Sequence, residues 1–392
     1  MRTPALRVLH LDSLLTGGGT DDQCVKLAAG LHRRAQKVWL AGPAGRAFQP
    51  VVESSGVPFL DTGSRFGKLG FILRAARFIK SERSQIVHGH HGRDIWPVIF
   101  AARLAGTRPM LVLSRHLAKS PGSWASRRFL LGQYDAVIAV SEFVARVLRE
   151  GVYEPDSPEA ERRVRPPLRG NHDKIHVLYG GIDTERFTPS EAADKRRELG
   201  LKPEHYAFAV VGGYDFPRGK GQREFLMAAA RMHEKAPQAR FLIIGRGQMA
   251  ELLRADIARL GLLEKAWLTP YCSDMPQVMN AIDCLVHPQI GTEAFPLVTC
   301  EAQSCGKPVI ASDLDGIPET LVDPSCSTLV PPESIEALAQ ALVSRACQGP
   351  LNLAQRLELH RKVAAQLSLP AAVDRVLNLY QDLLRGSGRS AH

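Results

Sequence analysis

The chain has 392 residues, of which 45% are hydrophobic and 6% aromatic, a composition that suits two folded soluble domains and excludes disorder on a large scale. Its formal net charge of +10 indicates an anionic partner, but no Cys/His finger, RNP-like aromatic motif or helix-turn-helix pattern accompanies it, so we expect no nucleic-acid partner. No run approaches the roughly eighteen apolar residues of a spanning helix, and the first residues resemble the approach to a strand more than a signal peptide, so we expect a cytoplasmic protein.

The seven cysteines agree with a reducing compartment. Their number is odd, their positions are scattered and no Cys-x-x-Cys occurs, which argues against a disulfide framework or a zinc site. We interpret Cys300 and Cys305 as small buried side chains.

A first strand is predicted over residues 5–11, and a glycine-rich turn follows it into a helix that extends to Leu31. Gly17, Gly18 and Gly19 lack the Gly-x-Gly-x-x-Gly spacing of a dinucleotide fingerprint, and the acids that follow come too early for ribose recognition. A loop that needs positive φ is the simple alternative, although it explains one glycine better than three.

Residues 65–80 combine large apolar side chains with basic ones in a helical pattern, among them Leu69, Phe71, Ile72, Leu73, Phe78 and Ile79 with Lys68, Arg74, Arg77 and Lys80. This is the composition of an interfacial basic helix that binds an anionic membrane surface. A helix that covers one face of a parallel sheet also needs an apolar stripe and often carries a basic outer face. Both interpretations stay open, and the first would place the protein peripherally on the inner face of the cytoplasmic membrane.

Further strands are predicted at residues 38–41, 86–88, 110–113 and 136–140, separated by helix-sized segments as a parallel α/β sheet requires. His88, His90 and His91 cluster at one strand end. A metal site is one interpretation, but no accompanying ligand set is evident, so we expect no metal. We favour contact with an acceptor or a phosphate, and exposed loop histidines are the alternative.

Residues 153–169, rich in Pro, Glu and Arg, interrupt this rhythm and are predicted to be an exposed insertion. A second glycine-rich turn, residues 211–221, lies between a predicted strand at 206–211 and a helical pattern at 222–235. Glycines allow close approach of the backbone and cations neutralise charge, so a turn that carries Arg218 and Lys220 suits a diphosphate.

A strand, a loop, a helix and another strand are predicted between residues 283 and 311. Pro296 is expected as the first helical residue and Gly306 as the C-terminal stop. Glu293 falls in the loop, and Glu301 falls on the second turn, near free backbone N–H groups that favour a phosphate. A carboxylate there suggests hydrogen bonds from sugar hydroxyls. Ordinary solvated acids are the alternative.

The Glu-x7-Glu helix, the Lys-Gly turn and the segment 182–189 together resemble the retaining nucleotide-sugar glycosyltransferases of the family four type. The resemblance covers nearly the whole chain and implies an α/β protein of the GT-B fold, with two facing Rossmann-like domains and an inter-domain cleft. It implies an acceptor-side domain at 1–184, a nucleotide-sugar-binding domain at 185–367, and a C-terminal helix at 368–392 that crosses back to the first domain.

The resemblance also implies roles for single residues. Glu293 would contact hydroxyls of the donor sugar, Glu301 would hold the ribose, and Lys220 with Arg218 would hold the diphosphate. Many relatives have Arg-Lys-Gly where this chain has Arg218-Gly-Lys220-Gly, which weakens the assignment of Arg218. The further positions implied at the donor are Gly18, Gly19, Gly213 (an arginine in many relatives), Phe295, Leu297 and Val298.

His116 matches a position of the resembled family that faces the donor sugar. A neutral imidazole there could bond a sugar hydroxyl or stabilise charge that develops at the reacting carbon. A lone loop histidine without such a role is the alternative.

We expect a retaining, metal-independent hexosyltransferase without a cofactor, because the UDP-, GDP- or ADP-linked sugar is a substrate. No carboxylate is placed as a nucleophile, so front-face attack is expected in place of double displacement. The expected acceptor is a glycan or a lipid-linked saccharide, in lipopolysaccharide or other surface polysaccharide synthesis. A nucleotide-sugar 2-epimerase of the same fold and a non-catalytic sugar-nucleotide-binding protein are the alternatives.

Overall fold

Two parallel sheets organise the chain, and each belongs to its own compact unit. The structure is a computed structural model that describes residues 4–63, 67–117, 119, 121–151, 166–269 and 272–387. Unit 1 runs to Gly181 and resumes at Leu369, and unit 2 is Ile182–Ser368. The expected divisions were after residues 184 and 367. Most of the expected insertion lies outside the described residues.

The central strands of unit 1 are buried on both faces, as expected for a parallel sheet covered by helices, whereas its two edge strands are partly exposed. They are β1 Arg7–Leu11, β2 Lys37–Gly42, β3 Phe59–Asp61, β4 Ile86–Gly89, β5 Met110–Arg115, β6 Ala136–Ala139 and β7 Ile175–Val177. Their order is β3-β2-β1-β4-β5-β6-β7 and every pairing is parallel. The sequence does not predict β3 or β7.

Six helices connect these strands: α1 Gly19–Arg33, α2 Gln49–Ser54, α3 Gly67–Ser81, α4 Ile95–Ala105, α5 Trp124–Gln133 and α6 Glu142–Glu150. Ser123 and Ser141 cap α5 and α6 by accepting hydrogen bonds from the backbone N–H groups three residues ahead. The start of the expected basic helix, residues 65 and 66, lies outside the described residues.

Unit 2 has the same arrangement with six strands. They are β8 Tyr206–Val211, β9 Ala239–Ile244, β10 Ala266–Thr269, β11 Cys284–His287, β12 Val309–Ser312 and β13 Ser327–Val330. The order is β10-β9-β8-β11-β12-β13, again parallel throughout. Its helices are α7 Ala193–Glu198, α8 Gln222–Met232, α9 Ala250–Arg259, α10 Met275–Ala281, α11 Leu297–Ser304, α12 Ile335–Gln348 and α13 Leu353–Leu367.

The last helix, α14 Leu369–Gly386, returns to unit 1 and packs against α1. Gly30 permits the close approach, because a Cβ built there would lie 2.3 Å from Cγ2 of Val373. Tyr380 of α14 is fully buried, and its side chain reaches His88 of β4. The helix therefore completes the core of unit 1, in agreement with the predicted return of a C-terminal helix to the first domain.

Each sheet reverses its strand order once, between β1 and β4 and between β8 and β11. Ligands of open α/β sheets bind at such switch points, beyond the carboxyl ends of the strands. The glycine-rich turns follow β1 and β8, so both lie at a switch point. Among the described residues, the helices include none with both the length and the apolar character needed to cross a bilayer.

Candidate functional site

In unit 2, one glycine fixes how the turn after β8 meets the loop after β11. Gly221 precedes α8 with φ +81°, and a Cβ built there would lie 1.9 Å from the carbonyl oxygen of Pro288. A larger residue would have to push these two segments apart. The close approach brings the preceding residue, Lys220, to the loop that follows β11.

Lys220 and Glu293 form an ion pair there, with 2.5 Å between Nζ and Oε2. Their side chains are 34% and 18% exposed, so the pair is partly solvated and a ligand can reach it. The sequence analysis assigned Glu293 to the donor sugar and Lys220 to the diphosphate, and it did not predict that the two side chains contact one another.

Gln222, which the sequence analysis did not single out, holds the turn from inside. Its side chain is fully buried, accepts a hydrogen bond from the backbone N–H of Lys220 (2.7 Å) and donates one to the carbonyl of Gly213 (3.2 Å). Gly213 itself is exposed, as is Arg218. The structure therefore joins Lys220 to Glu293 and leaves the side chain of Arg218 in solvent.

The loop that carries Glu293 is tied to the segment after β12. The backbone N–H of Glu293 donates to Oδ2 of Asp315 at 3.1 Å, and the N–H of Gly316 donates to the carbonyl of Glu293 at 3.1 Å. Asp315 has φ +53°, a left-handed conformation that Asp tolerates better than most residues. No motif in the sequence indicated this contact.

The helix after this loop begins one residue later than expected. Pro296 is the N-cap and Leu297 is the first helical residue of α11. Because proline has no side-chain oxygen to accept hydrogen bonds, the first-turn N–H groups of Leu297 and Val298 have no side-chain cap. Phe295 is half-buried just before the helix, and Glu301 lies on its second turn, half-buried. Cys300 and Cys305 are buried and free, as expected.

His287 ends β11 close to the ion pair. Both of its ring nitrogens are buried without a hydrogen-bond partner among the described residues. Burial lowers the pKa of His287 to about 4, with opposing effects from the charges of Glu293 and Lys220. The imidazole is therefore neutral at neutral pH.

In unit 1, the other glycine-rich turn opens α1. Gly18 is the N-cap with φ +143°, Gly19 is the first helical residue, and both have open space where a side chain would stand. The N–H of Gly17 donates to Oδ2 of Asp21 at 2.8 Å. Backbone atoms at Gly18 and Gly19 are therefore accessible to a ligand, and their contact with a substrate stays a prediction.

The expectation of exposed or ligand-contacting histidines after β4 is wrong for two of the three. His88 is 0% and His90 2% exposed. His88 bonds the hydroxyl of Tyr380 (2.6 Å) and that of Ser114 (2.8 Å), and His90 Nε2 bonds His10 Nδ1 (2.9 Å). These imidazoles belong to the core because α14 and β1 cover them.

His116 follows β5, and its ring is stacked 6.0 Å from that of His90. Its Nε2 is buried without a hydrogen-bond partner among the described residues. Burial, assisted by the charges of His91 and Arg115, lowers the pKa of His116 to about 3. The ring is therefore neutral at neutral pH, which is the protonation state that the sequence interpretation requires for contact with a sugar hydroxyl.

Within the described part of the chain, two groups of side chains bring possible metal-ligand atoms within 4.8 Å of one another: His10, Cys24 and His90, and Asp12, Asp21 and His91. Hydrogen bonds or ion pairs join histidines and acids within these groups. The two histidines of the first group bond one another, and burial raises the pKa of the Cys24 thiol well above its usual value, which disfavours the thiolate that binds metals. The second group consists of ion pairs.

Two family models match the chain. A model described as "Glycosyltransferase Family 4" matches residues 17–186, which fall in unit 1 except for the last few, and a model described as "Glycosyl transferases group 1" matches residues 206–346 in unit 2. The two matches include both glycine-rich turns, the Lys220–Glu293 pair and α11.

Curated relatives are transferases as well. A D-inositol 3-phosphate glycosyltransferase of Segniliparus rotundus is 32% identical over 219 residues, which cover 54% of this chain and 48% of that protein. The chain thus spans about half the length of that relative. A UDP-Gal:alpha-D-GlcNAc-diphosphoundecaprenol alpha-1,3-galactosyltransferase of Escherichia coli is 26% identical over 318 residues, which cover 80% of this chain and 79% of that protein.

Solved structures show the fold. An Anabaena protein determined in complex with UDP superposes with a TM-score of 0.77 at 19% identity, covering 96% of this chain and 100% of that one. At this level of identity the similarity concerns the fold, and it agrees with the expected pair of Rossmann-like sheets.

Proposed function

We propose the reaction of this chain from the premise that it belongs to the GT-B glycosyltransferases of the family four type: it moves a sugar from a UDP-linked donor to a hydroxyl of a lipid-linked saccharide, with retention and without a metal. The observation that carries the proposal is the ion pair of Lys220 and Glu293 at 2.5 Å, placed at the strand-order reversal of unit 2.

This ion pair is suited to a donor that has a diphosphate and sugar hydroxyls. A diphosphate supplies the anion that Lys220 needs, and hydroxyl groups supply the donors that the carboxylate of Glu293 needs, so a nucleotide sugar can satisfy both partners at once. The uncapped first turn of α11 adds backbone N–H groups for a phosphate. Glu301, on the second turn of α11, would accept hydrogen bonds from the ribose.

In the proposed mechanism the acceptor oxygen bonds to the anomeric carbon on the face from which the diphosphate leaves. The bond between that carbon and the diphosphate oxygen breaks, and the acceptor proton passes to the departing phosphate oxygen. Lys220 stabilises the charge on the leaving group, and a neutral His116 can bond a donor hydroxyl. No protein carboxylate forms a covalent intermediate in this scheme.

The UDP donor and the lipid-linked acceptor are supported by the names of similar proteins. The Escherichia coli relative is named for UDP-Gal and for a saccharide on diphosphoundecaprenol, and the Anabaena structure contains UDP. The class of acceptor fits lipopolysaccharide or other surface polysaccharide synthesis. The curated relatives described above are transferases, which disfavours the 2-epimerase and the non-catalytic alternative.

We further propose that α3 meets an anionic membrane surface, where such an acceptor would be held. Phe71, Ala75 and Ile79 form the buried stripe that packs into unit 1, whereas Leu69 and Leu73 are 62% and 38% exposed outside that stripe. The four basic residues of the helix are exposed beside them: Lys68, Arg74, Arg77 and Lys80.

A cavity of about 430 Å³ adjoins this face of α3. Ile72, Trp96 and Phe100 contribute apolar walls, and Lys68 with Lys119 contributes positive charge. Apolar walls next to cations match the chemistry of an anionic lipid, whose chains are apolar and whose headgroup carries phosphate.

A transfer assay tests the proposed reaction. The protein is incubated with UDP-, GDP- and ADP-sugars, a polyprenyl-diphosphate saccharide and EDTA, and the product is analysed by mass spectrometry and by NMR of its new anomeric centre. We expect transfer from a UDP-sugar, unaffected by EDTA, with the anomeric configuration of the donor kept. An inverted product, or a donor epimer formed without acceptor, would contradict the proposal.

A further inference from the structure

The loop between β1 and α1 is held by three carboxylates that come from three different segments. Asp12, at the end of β1, accepts the N–H groups of Leu14 (3.0 Å) and Leu15 (3.2 Å) at Oδ1. Asp94, just before α4, accepts the N–H of Ser13 at 3.3 Å. Backbone N–H groups of this loop thus donate to side-chain carboxylates and not to the carbonyl groups of a neighbouring strand.

The third carboxylate, Asp21 of α1, accepts the N–H of Gly17 at 2.8 Å. The three acids are almost fully buried, with 0%, 2% and 0% of Asp12, Asp21 and Asp94 exposed. Like charges in a buried cluster are costly unless a cation compensates them.

His91 supplies that cation. Its Nε2 lies 2.7 Å from Oδ1 of Asp21 and 3.2 Å from Oδ1 of Asp12, and its backbone N–H donates to Oδ2 of Asp94 at 2.8 Å. Burial opposes the charged ring, but the hydrogen bonds to Asp12 and Asp21 outweigh it and raise the pKa of His91 to about 10. The ring therefore remains protonated through neutral pH and pairs with Asp12 and Asp21, whereas Asp94 is bonded by the backbone N–H of His91.

We propose that His91 is a positioning residue, which fixes the loop of Gly17, Gly18 and Gly19 for the donor by bridging Asp21 and Asp12. The effect on transfer rests on the proposed function, whereas the effect on loop order does not. His91 itself need not touch a substrate, because its ion pairs act through Asp21 on the N–H of Gly17.

Removal of the ring charge should loosen this loop. Without His91, the buried carboxylates of Asp12 and Asp21 lose their cation and must take up protons or move toward water. Gly17 and Gly18 have φ of +94° and +143°, and glycines give the loop many other conformations once its ties weaken. A donor would then have to order the loop when it binds, which lowers affinity.

Hydrogen exchange followed by mass spectrometry tests loop order in the full chain without substrate. We expect peptides within residues 12–24 to exchange about tenfold faster in His91→Leu, and less so in His91→Gln, which keeps a donor. The matched control is His32→Gln, which changes an exposed histidine in the last turn of α1. Unchanged exchange in a folded His91→Leu protein would overturn the proposal.

Kinetics supply the second readout. We expect His91→Leu to raise the donor KM about tenfold and to change kcat less than twofold, because the loop binds ground and transition states alike.

A second variant serves if His91→Leu fails to fold. The double variant His91→Gln with Asp21→Asn replaces the charged pair by a neutral one, and we expect it to recover part of the donor affinity that His91→Gln alone loses. A lower kcat at unchanged KM would overturn the inference. If wild type transfers no sugar, the proposed function fails, and hydrogen exchange still decides the role of His91.

Discussion

Lys220 and Glu293 show how a single ion pair can prepare a site for a neutral sugar and a charged diphosphate together. Each residue is the other's partner when no donor is present. A partly exposed ion pair contributes little to stability, because solvent screens it and long side chains lose freedom. We therefore propose that this pair serves donor binding and not folding.

Replacement of Lys220 by Ala tests this role. We expect kcat to fall by about 10²-fold or more, as for the loss of one preorganised charge-stabilising donor, with the fold unchanged by circular dichroism. Lys235→Ala, an exposed lysine after α8, is the matched control and should keep wild-type turnover. Near-normal transfer by Lys220→Ala would remove this residue from the mechanism.

At the scale of single residues, sequence motifs predicted site residues, whereas residues whose positions depend on tertiary packing were missed. Glu293, Glu301 and Lys220 were selected by glycine, proline and acid spacing, and the family resemblance supplied their expected roles. The core position of His88 depends on Tyr380, which is distant in the chain and arrives only when α14 packs on unit 1. Asp315 and Gln222 have no local pattern that marks them as supports of the site.

The elements of the fold were more predictable than the site. Buried strands of a parallel sheet are continuous apolar runs, so β1, β2, β4, β5, β6, β8 and β11 could be found from hydrophobicity. β3 and β7 are three-residue strands at the two edges of their sheet, too short for a periodic signal. The helix α3 was predicted correctly as a helix, and its packing uses only part of its apolar surface.

The exposed part of that surface can be tested in isolation. We expect Leu69→Ser with Leu73→Ser to reduce cosedimentation with anionic liposomes about tenfold or more, since each exposed leucine would otherwise bury apolar area in the interface. Thermal stability should change little, because both side chains are exposed. Leu353→Ser, an exposed leucine of unit 2, is the control. Equal pelleting of wild type with neutral and anionic lipid would contradict a charge-driven membrane role.

At the scale of the whole molecule, the chain builds the same sheet order in two units and places a glycine-rich turn at the reversal point of each. Two different glycosyltransferase family models match the two units, one over residues 17–186 and the other over residues 206–346. We propose that the nucleotide binds unit 2, because the Lys220–Glu293 pair and the N-terminus of α11 lie there.

The most direct test of this assignment is calorimetric titration of UDP, GDP, ADP and their sugar conjugates into wild type, Glu301→Ala and the exposed control Glu264→Ala. We expect wild type and Glu264→Ala to bind the uridine nucleotides selectively, and Glu301→Ala to bind them about tenfold more weakly because a hydrogen bond from the ribose to a charged acceptor is lost. Binding of no nucleotide, or equal binding by Glu301→Ala, would contradict a nucleotide-sugar site at α11.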